Sequence, residues 1–293
     1  MTLSLALAGH EHDLGDGFIV RRLLPAAARQ SVGPFLFFDH FGPIQIQPGK
    51  GNNVRPHPHI GLATVSYLFD GAIMHRDSLG NTQEIEPGAI NWMTAGRGIV
   101  HSEREPESLQ GTAYLLHGIQ LWAALPIDKE EIEPSFIHTA ANSIPSLQID
   151  DAQVRVLIGT AFGKTSPVET FSATLYLDIQ LPANGVLNLP ALTSEMAIYA
   201  VDGDLLLDED KLDMHKLGVL EPNSVTRIQS TTVTRFVVLG GAPLESKRLI
   251  WWNFVSSRKE RITQAADDWQ AQRMDTVDGD GEFIPLPPLK KAP

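Results

Sequence analysis

No cysteine occurs among the 293 residues, so neither a disulfide framework nor a thiolate metal site is available, while the redox compartment stays open. Basic residues are scarce: 23 lysines and arginines stand against 35 aspartates and glutamates, for a net charge of −12. That balance lacks the clustered cations that a phosphate backbone demands, so direct nucleic-acid binding is not expected. No apolar run approaches the length of a membrane span. The opening run, Met1 to Gly9, has no basic residue ahead of it and too short an apolar core for a secretory signal, so the expectation is a cytoplasmic protein. A phosphate loop, a nucleophile elbow and a dinucleotide fingerprint are also missing.

What remains is an ordinary soluble composition, 43% hydrophobic and 20% charged, in a chain long enough for two domains. The 24 glycines and 20 prolines suit a turn-dense all-β design. Phe18-Ile19-Val20 reads as a first strand, and Gly33 to Gly42 as an aromatic segment whose phenylalanines belong to the core, with His40 at a hydrogen-bonding corner. Tyr114 to Ala123 is a long apolar strand that makes His117 a core or pocket-lining residue. Pro145 to Asp151 reads as the crossing between domains, giving an N-terminal unit over 1–145 and a C-terminal unit over 146–293. In the second unit Phe171 to Leu181 alternates cleanly between apolar and polar residues. Its one histidine, His215, lies in a charged loop, so this barrel is expected to be metal-free. Ser257-x-x-Glu260 has the form of a capping box. Ile262, Ala265, Ala266 and Trp269 then make one apolar helical stripe. Asp278 to Pro293 reads as a flexible or extended tail.

The chemistry concentrates between Arg55 and Glu103. The stretch opens on His57-Pro58-His59 and closes on His101-Ser102-Glu103. Residues i and i+2 of a strand share a face, so each pair can aim inward together. If the two strands are neighbours in a small barrel, three imidazoles and one carboxylate converge. Such an N/O set suits iron, nickel, copper, manganese, cobalt or zinc, and leaves positions open for water, substrate or oxygen. Between the pairs, His57 to Phe69 reads as strand, Asp70-Gly71 as a hairpin and Glu86-Pro87-Gly88 as a turn, which together predict a meander. Gly96 and Gly98 allow a tight turn just before His101. A lone strand histidine is ordinarily structural; two same-face pairs are harder to assign to packing. Tyr67, Trp92 and Met93 fit core positions better than pocket walls, and His75-Arg76-Asp77-Ser78 fits a hydrogen-bonded turn better than a substrate contact.

Gly51 to Gly71 resembles the first cupin motif, and Gly88 to His101 the second. More specifically, HPHIG, HRDSLGN (His75 to Asn81) and WMTAGRGIVHSE (Trp92 to Glu103) resemble the pirin family. Gly15-Asp16-Gly17-Phe18 with Arg21-Arg22, Gly33 to Pro43 and Gly240 to Leu244 fit the same family, so the resemblance spans nearly the whole chain. It implies a bicupin: two jelly-roll-like β-barrels with a C-terminal helix, the first one binding metal. One departure is that Ala63 and Thr64 stand where cupins carry a glutamate three or four residues beyond H-x-H. In the pirin pattern Glu103 fills the carboxylate role.

The resemblance further implies a mononuclear site of His57, His59, His101 and Glu103, with Fe(II) as the first choice of metal. The implied activity is dioxygenation of a flavonol such as quercetin, with O2 as co-substrate and Glu103 activating the substrate hydroxyl. A different class is also open, a metal- or redox-sensing co-regulator that docks a protein partner, as is a metal retained for stability alone. A monomer is the expected state.

Overall fold

Alternating apolar residues, interrupted by glycine and proline, make strands along most of the chain. The computed structural model describes residues 2–14, 18–51 and 53–288. The Gly15-Asp16-Gly17 motif and residues 289–293 of the tail lie outside the described residues. The first half contains β1 (Leu3–Ala8), β2 (His10–Asp13), β3 (Ile19–Leu24), β4 (Phe35–Ile46), β5 (Val54–His59) and β6 (Leu62–Asp70). It continues through β7 (Ile73–Asp77), β8 (Thr82–Ile85), β9 (Ile90–Thr94), β10 (Ile99–Arg104), β11 (Tyr114–Ala124) and β12 (Ser135–Thr139). The second half begins with β13 (Ser146–Ile149), β14 (Ala152–Ile158), β15 (Thr160–Ala161), β16 (Lys164–Thr165), β17 (Thr174–Leu181), β18 (Val186–Leu189) and β19 (Glu195–Ala200). It ends with β20 (Leu205–Leu207), β21 (Asp210–Leu212), β22 (Lys216–Leu220), β23 (Thr226–Gln229), β24 (Thr234–Gly241), β25 (Leu249–Trp251), β26 (Phe254–Ser256) and α1 (Lys259–Gln270).

Each half pairs a seven-stranded sheet with a four-stranded one. The first combines β12-β9-β6-β11-β4-β3-β2 with β5-β10-β7-β8, and the second β1-β22-β19-β24-β17-β14-β13 with β18-β23-β20-β21. This is the expected all-β pair of cupin-type barrels with a C-terminal helix. The predicted meander is corrected. Gly61, with φ of +69° and the Val255 carbonyl oxygen packed where a Cβ would stand, breaks the run from His57 to Phe69 into β5 and β6, which lie in different sheets. Asp70-Gly71 likewise carries the chain from one sheet to the other and is not a hairpin. As a result β10 lies between β5 and β7, the jelly-roll arrangement.

Both termini cross to the other half. β1 pairs with β22 of the second barrel, because Leu3, Leu5 and Leu7 alternate as a strand does. From the far end, Phe254 bridges to Ile60 and the Ile284 amide donates to the Pro56 carbonyl at 2.8 Å. We propose a division near residue 145 for the two barrel bodies, with these end segments exchanged across it.

The cores differ in a way that bears on chemistry. The second barrel is filled by a continuous apolar cluster including Val156, Leu177, Ile198, Ile228 and Phe236. A larger cluster lies between the barrels, where Phe38, Val65 and Tyr67 meet Tyr176, Tyr199 and Val237. Inside the first barrel the apolar packing is split in two, around Phe37, Met93 and Trp122 and around Val20, Phe41 and Leu68. The polar site falls on this barrel.

The capping box does not form. Helix α1 starts at Lys259 with Arg258 at its N-cap and no side-chain cap. The Ser257 hydroxyl and amide instead donate to the Glu130 carboxylate, at 3.0 and 2.9 Å. Glu130 is buried with Arg248, whose Nε lies 2.9 Å away, so a buried charge outcompetes a local cap for the same hydroxyl. The helical stripe is as expected, with Ile262, Ala265 and Trp269 buried. Among the described residues no helix is long and apolar enough to cross a membrane.

Candidate metal centre

Register brings the two ligand pairs together. On the antiparallel β5–β10 ladder His101 lies opposite His57 and Ile99 opposite His59. Ring centroids are 4.4 Å apart for His57 and His101, and about 5 Å for the other two pairs. One ligand nitrogen from each of the three rings lies within 4.8 Å of the others. All three side chains are buried.

The hydrogen bonds select the tautomer. His57 Nδ1 lies 2.8 Å from the Arg55 carbonyl and His59 Nδ1 3.2 Å from the Asn253 carbonyl. A carbonyl only accepts, so each Nδ1 carries the hydrogen and each Nε2 keeps a free lone pair. His101 Nδ1 lies 3.4 Å from Nδ1 of His75. His75 in turn places Nε2 3.0 Å from Asp77 Oδ2, so a His75 ring with one hydrogen donates it to Asp77 and accepts from His101. That frees the third Nε2 as well. His101 Nε2 is buried with no partner among the described residues, an orphaned acceptor of the kind a cation satisfies. Burial pushes His57 down to about 4, against a weaker upward effect of the Arg55 carbonyl bond. Burial likewise holds His59 and His101 well below the usual range. The neutral imidazole is the ligating form, and the set fits a divalent transition ion.

Glu103 follows His101 along β10 beyond a register shift, opposite Val54 on one side and His75 on the other. It is half-buried, and the Ser66 hydroxyl oxygen lies 3.4 Å from its Oε1. Burial raises its carboxyl above the usual range, with His75 and the Ser66 contact opposing. It does not fall within the tight three-histidine group, but it lines the same cavity as His57 and His59. That cavity, about 470 Å³, is in the range of small-molecule sites. One wall is aromatic: Phe37 stacks on Trp122 at 3.9 Å and 10°, and Trp122 meets His59 edge-to-face at 5.0 Å between centroids.

Several roles are not legible in the sequence. Phe37 and Phe41 line the cavity, whereas Phe35 and Phe38 are in the interdomain core; alternation separates Phe38 from Phe37 and Phe41, and a register shift between Phe35 and Phe37 on the β4–β11 ladder carries Phe35 to the core side. Tyr67, Trp92 and Met93 are core residues and do not line this cavity. His75, Arg76 and Asp77 end strand β7 and do not form the expected turn, which begins only at Ser78; Asn81 and Leu79 donate to Asp77 across it, and the His75–Asp77 pair backs His101. His40 is buried in mid-strand and not at a corner: its Nε2 meets His117 Nε2 at 2.8 Å and its Nδ1 meets the Tyr199 hydroxyl at 2.8 Å. The tail contributes too, since Ile284 and Pro287 line the cavity together with Trp252 and Asn253.

Comparison with known proteins agrees with this architecture. The family model described as Pirin matches residues 17–123, and that of the pirin C-terminal cupin domain matches residues 176–275. A pirin-like protein of Caulobacter vibrioides is 43% identical over 289 residues, covering 97% of this chain and 99% of that protein. A Pseudomonas aeruginosa protein provisionally named quercetin 2,3-dioxygenase is 34% identical over 285 residues, covering 95% of this chain and 89% of that protein. The crystal structure of a quercetin 2,3-dioxygenase from Acinetobacter baumannii superposes with a TM-score of 0.91 at 31% identity, over 98% of this chain and 96% of that one. With two barrels, three converging histidines in the first and these matches across almost its full length, the chain belongs to the pirin family.

Proposed function

We propose that this chain is a metal-dependent dioxygenase of flavonols such as quercetin, working at a mononuclear site of His57, His59, His101 and Glu103. The observation that carries this reading is the convergence of three neutral imidazoles, their Nε2 lone pairs unclaimed, beside a partly aromatic cavity of about 470 Å³. The names of relatives from Pseudomonas and Acinetobacter lend it support. A bound divalent ion, Fe(II) as first choice and Ni, Cu, Mn, Co or Zn as alternatives, would supply Lewis acidity toward substrate oxygens and, if redox-active, a route for electrons to O2.

The protein's own groups have distinct tasks. His57, His59 and His101 would hold the ion, each fixed by a hydrogen bond at its other ring nitrogen. The Glu103 carboxylate would be the ligand that can also take a proton: its raised affinity for one suits an Oε that accepts the hydrogen of the flavonol's enolic hydroxyl. The stacked Phe37–Trp122 pair offers a flat surface to a planar ring system and keeps water from that side.

The test is reconstitution of metal-free protein with each of these ions, followed by quercetin consumption and O2 uptake. Equimolar loss of flavonol and O2 with at least one ion is the expected outcome. Protein that holds metal but leaves quercetin untouched with every ion would remove the dioxygenase reading.

A further inference from the structure

The interior face of the first seven-stranded sheet carries a polar row between two apolar ones. Ser66 lies opposite Gln120, Gln120 opposite Asp39, and Asp39 opposite Arg22. Paired residues share a face, so the four side chains project together across four adjacent strands. Trp122 and Phe37 pair two residues along in one direction, and Gly118 and Phe41 pair on the other side.

Arg22 and Asp39 satisfy each other through two hydrogen bonds of 2.8 and 2.6 Å. Ser66 and Gln120 do not close in this way. The single hydroxyl hydrogen of Ser66 goes to Gln120 Oε1 at 2.7 Å, the shorter of its two contacts. This fixes the oxygen end of the amide. The Nε2 end carries two hydrogens and has no acceptor among the described residues, in a half-buried side chain that lines the cavity. Thus a donor is held one strand away from Ser66, the residue that also touches Glu103.

We propose that Gln120 is a substrate-positioning residue, its Nε2–H donating to an oxygen of a planar, oxygenated aromatic ligand lying against Phe37 and Trp122. The role rests on the flavonol reading given above. Stacking alone lets a flat ring slide and flip; a donor at a fixed place on the same face sets which oxygen-bearing edge meets Glu103. Loss of one such partly buried hydrogen bond weakens binding by about tenfold.

The test compares wild type with Gln120→Leu, which keeps the bulk and removes the donor, and with Gln120→Asn and Ser66→Ala. Quercetin is titrated into the metal-free proteins by quenching of tryptophan fluorescence, since Trp122 and Trp252 line the cavity. KM and kcat are then measured after iron loading. Gln120→Leu should bind quercetin about tenfold more weakly and raise KM about tenfold, with unchanged metal content and melting temperature. Gln120→Asn should recover part of the loss, and Ser66→Ala, which frees the amide to rotate, should shift binding in the same direction by less. If wild type binds and turns over quercetin while Gln120→Leu binds within about twofold of it, the positioning role falls and the dioxygenase reading stands. If wild type binds no flavonol, both fall. Should Gln120→Leu fail to fold, undiminished binding by both Gln120→Asn and Ser66→Ala overturns the role.

Discussion

His101 Nδ1 lies 3.4 Å from His75 Nδ1, so the imidazole that completes the three-histidine group is held by a second imidazole and not by a backbone carbonyl. Behind His75 stands Asp77, whose carboxyl is pushed up by burial but held below its usual range by hydrogen bonds from His75 and Asn81. A carboxylate–histidine–histidine line of this kind orients a ligand from two residues away.

Asp77→Asn should therefore weaken metal binding by about 10- to 100-fold while all the proposed ligands remain in place. Competition with a chromophoric chelator measures it. Affinity equal to wild type would show that His101 needs no such support.

The tail, expected to be flexible or extended, is tied down at three points. Asp280 accepts from Arg104 at 2.9 and 2.7 Å, Trp269 donates to the Ile284 carbonyl at 2.9 Å, and the Ile284 amide reaches Pro56. Removing residues 280–293 takes away the Ile284 and Pro287 wall and should speed metal release to a chelator. The melting temperature should also fall by several degrees. Release at the wild-type rate would mean that the strap does not limit access.

At the barrel interface, His40 is held well below the usual range by burial, with His117, His215 and Arg21 adding to the effect. His117 is lowered by burial and Arg235, against the pull of Asp70 and Asp202; Tyr199 completes the contacts of His40. A histidine whose folded-state pKa lies below its unfolded value binds more protons when unfolded. Stability is therefore complete above the unfolded pKa and declines as pH falls through about 6.5 toward the folded pKa, by up to about 1.4 kcal/mol per pH unit per group. His40→Asn should melt with a shallower pH dependence between about pH 7 and 5, yet be less stable by about 1–3 kcal/mol near neutrality, where Tyr199 and His117 lose a partner. Parallel melting profiles would exclude this cluster as the source of the slope.

Arg248 and Glu130 form the buried ion pair that anchors the C-terminal hairpin to the first barrel, with 1% and 4% of their side chains exposed. Arg248→Met should cost about 3–5 kcal/mol because Glu130 stays buried without its cation. The double variant Arg248→Met with Glu130→Leu should regain much of that loss. Chemical denaturation reads both, and a loss below about 1 kcal/mol in the single variant would show that water reaches the pair.

The convergence of His57, His59 and His101 could be read from the sequence because the spacing of His57 and His59 is local: two residues apart on a strand fixes the face, whatever the strand pairs with, whereas a register shift separates His101 from Glu103. His75 was harder to place, since its contact with His101 depends on the β7–β10 register. Gln120 and Ser66 are ordinary polar residues in apolar strands until the β6–β11 ladder sets them side by side. Ser257 shows the opposite failure, a correct local motif overridden by a distant buried carboxylate. β1 carried a legible alternation of its own, but nothing local says that its partner is β22, more than two hundred residues away.

X-ray absorption at the metal edge of the reconstituted protein, paired with metal analysis, tests the central claim most directly. One ion per chain, bound by three imidazoles and a carboxylate oxygen, with an imidazole lost in each of His57→Ala, His59→Ala and His101→Ala and the carboxylate lost in Glu103→Ala, is the expected result. An ion bound by fewer than three imidazoles, or coordination unchanged by those substitutions, would contradict it.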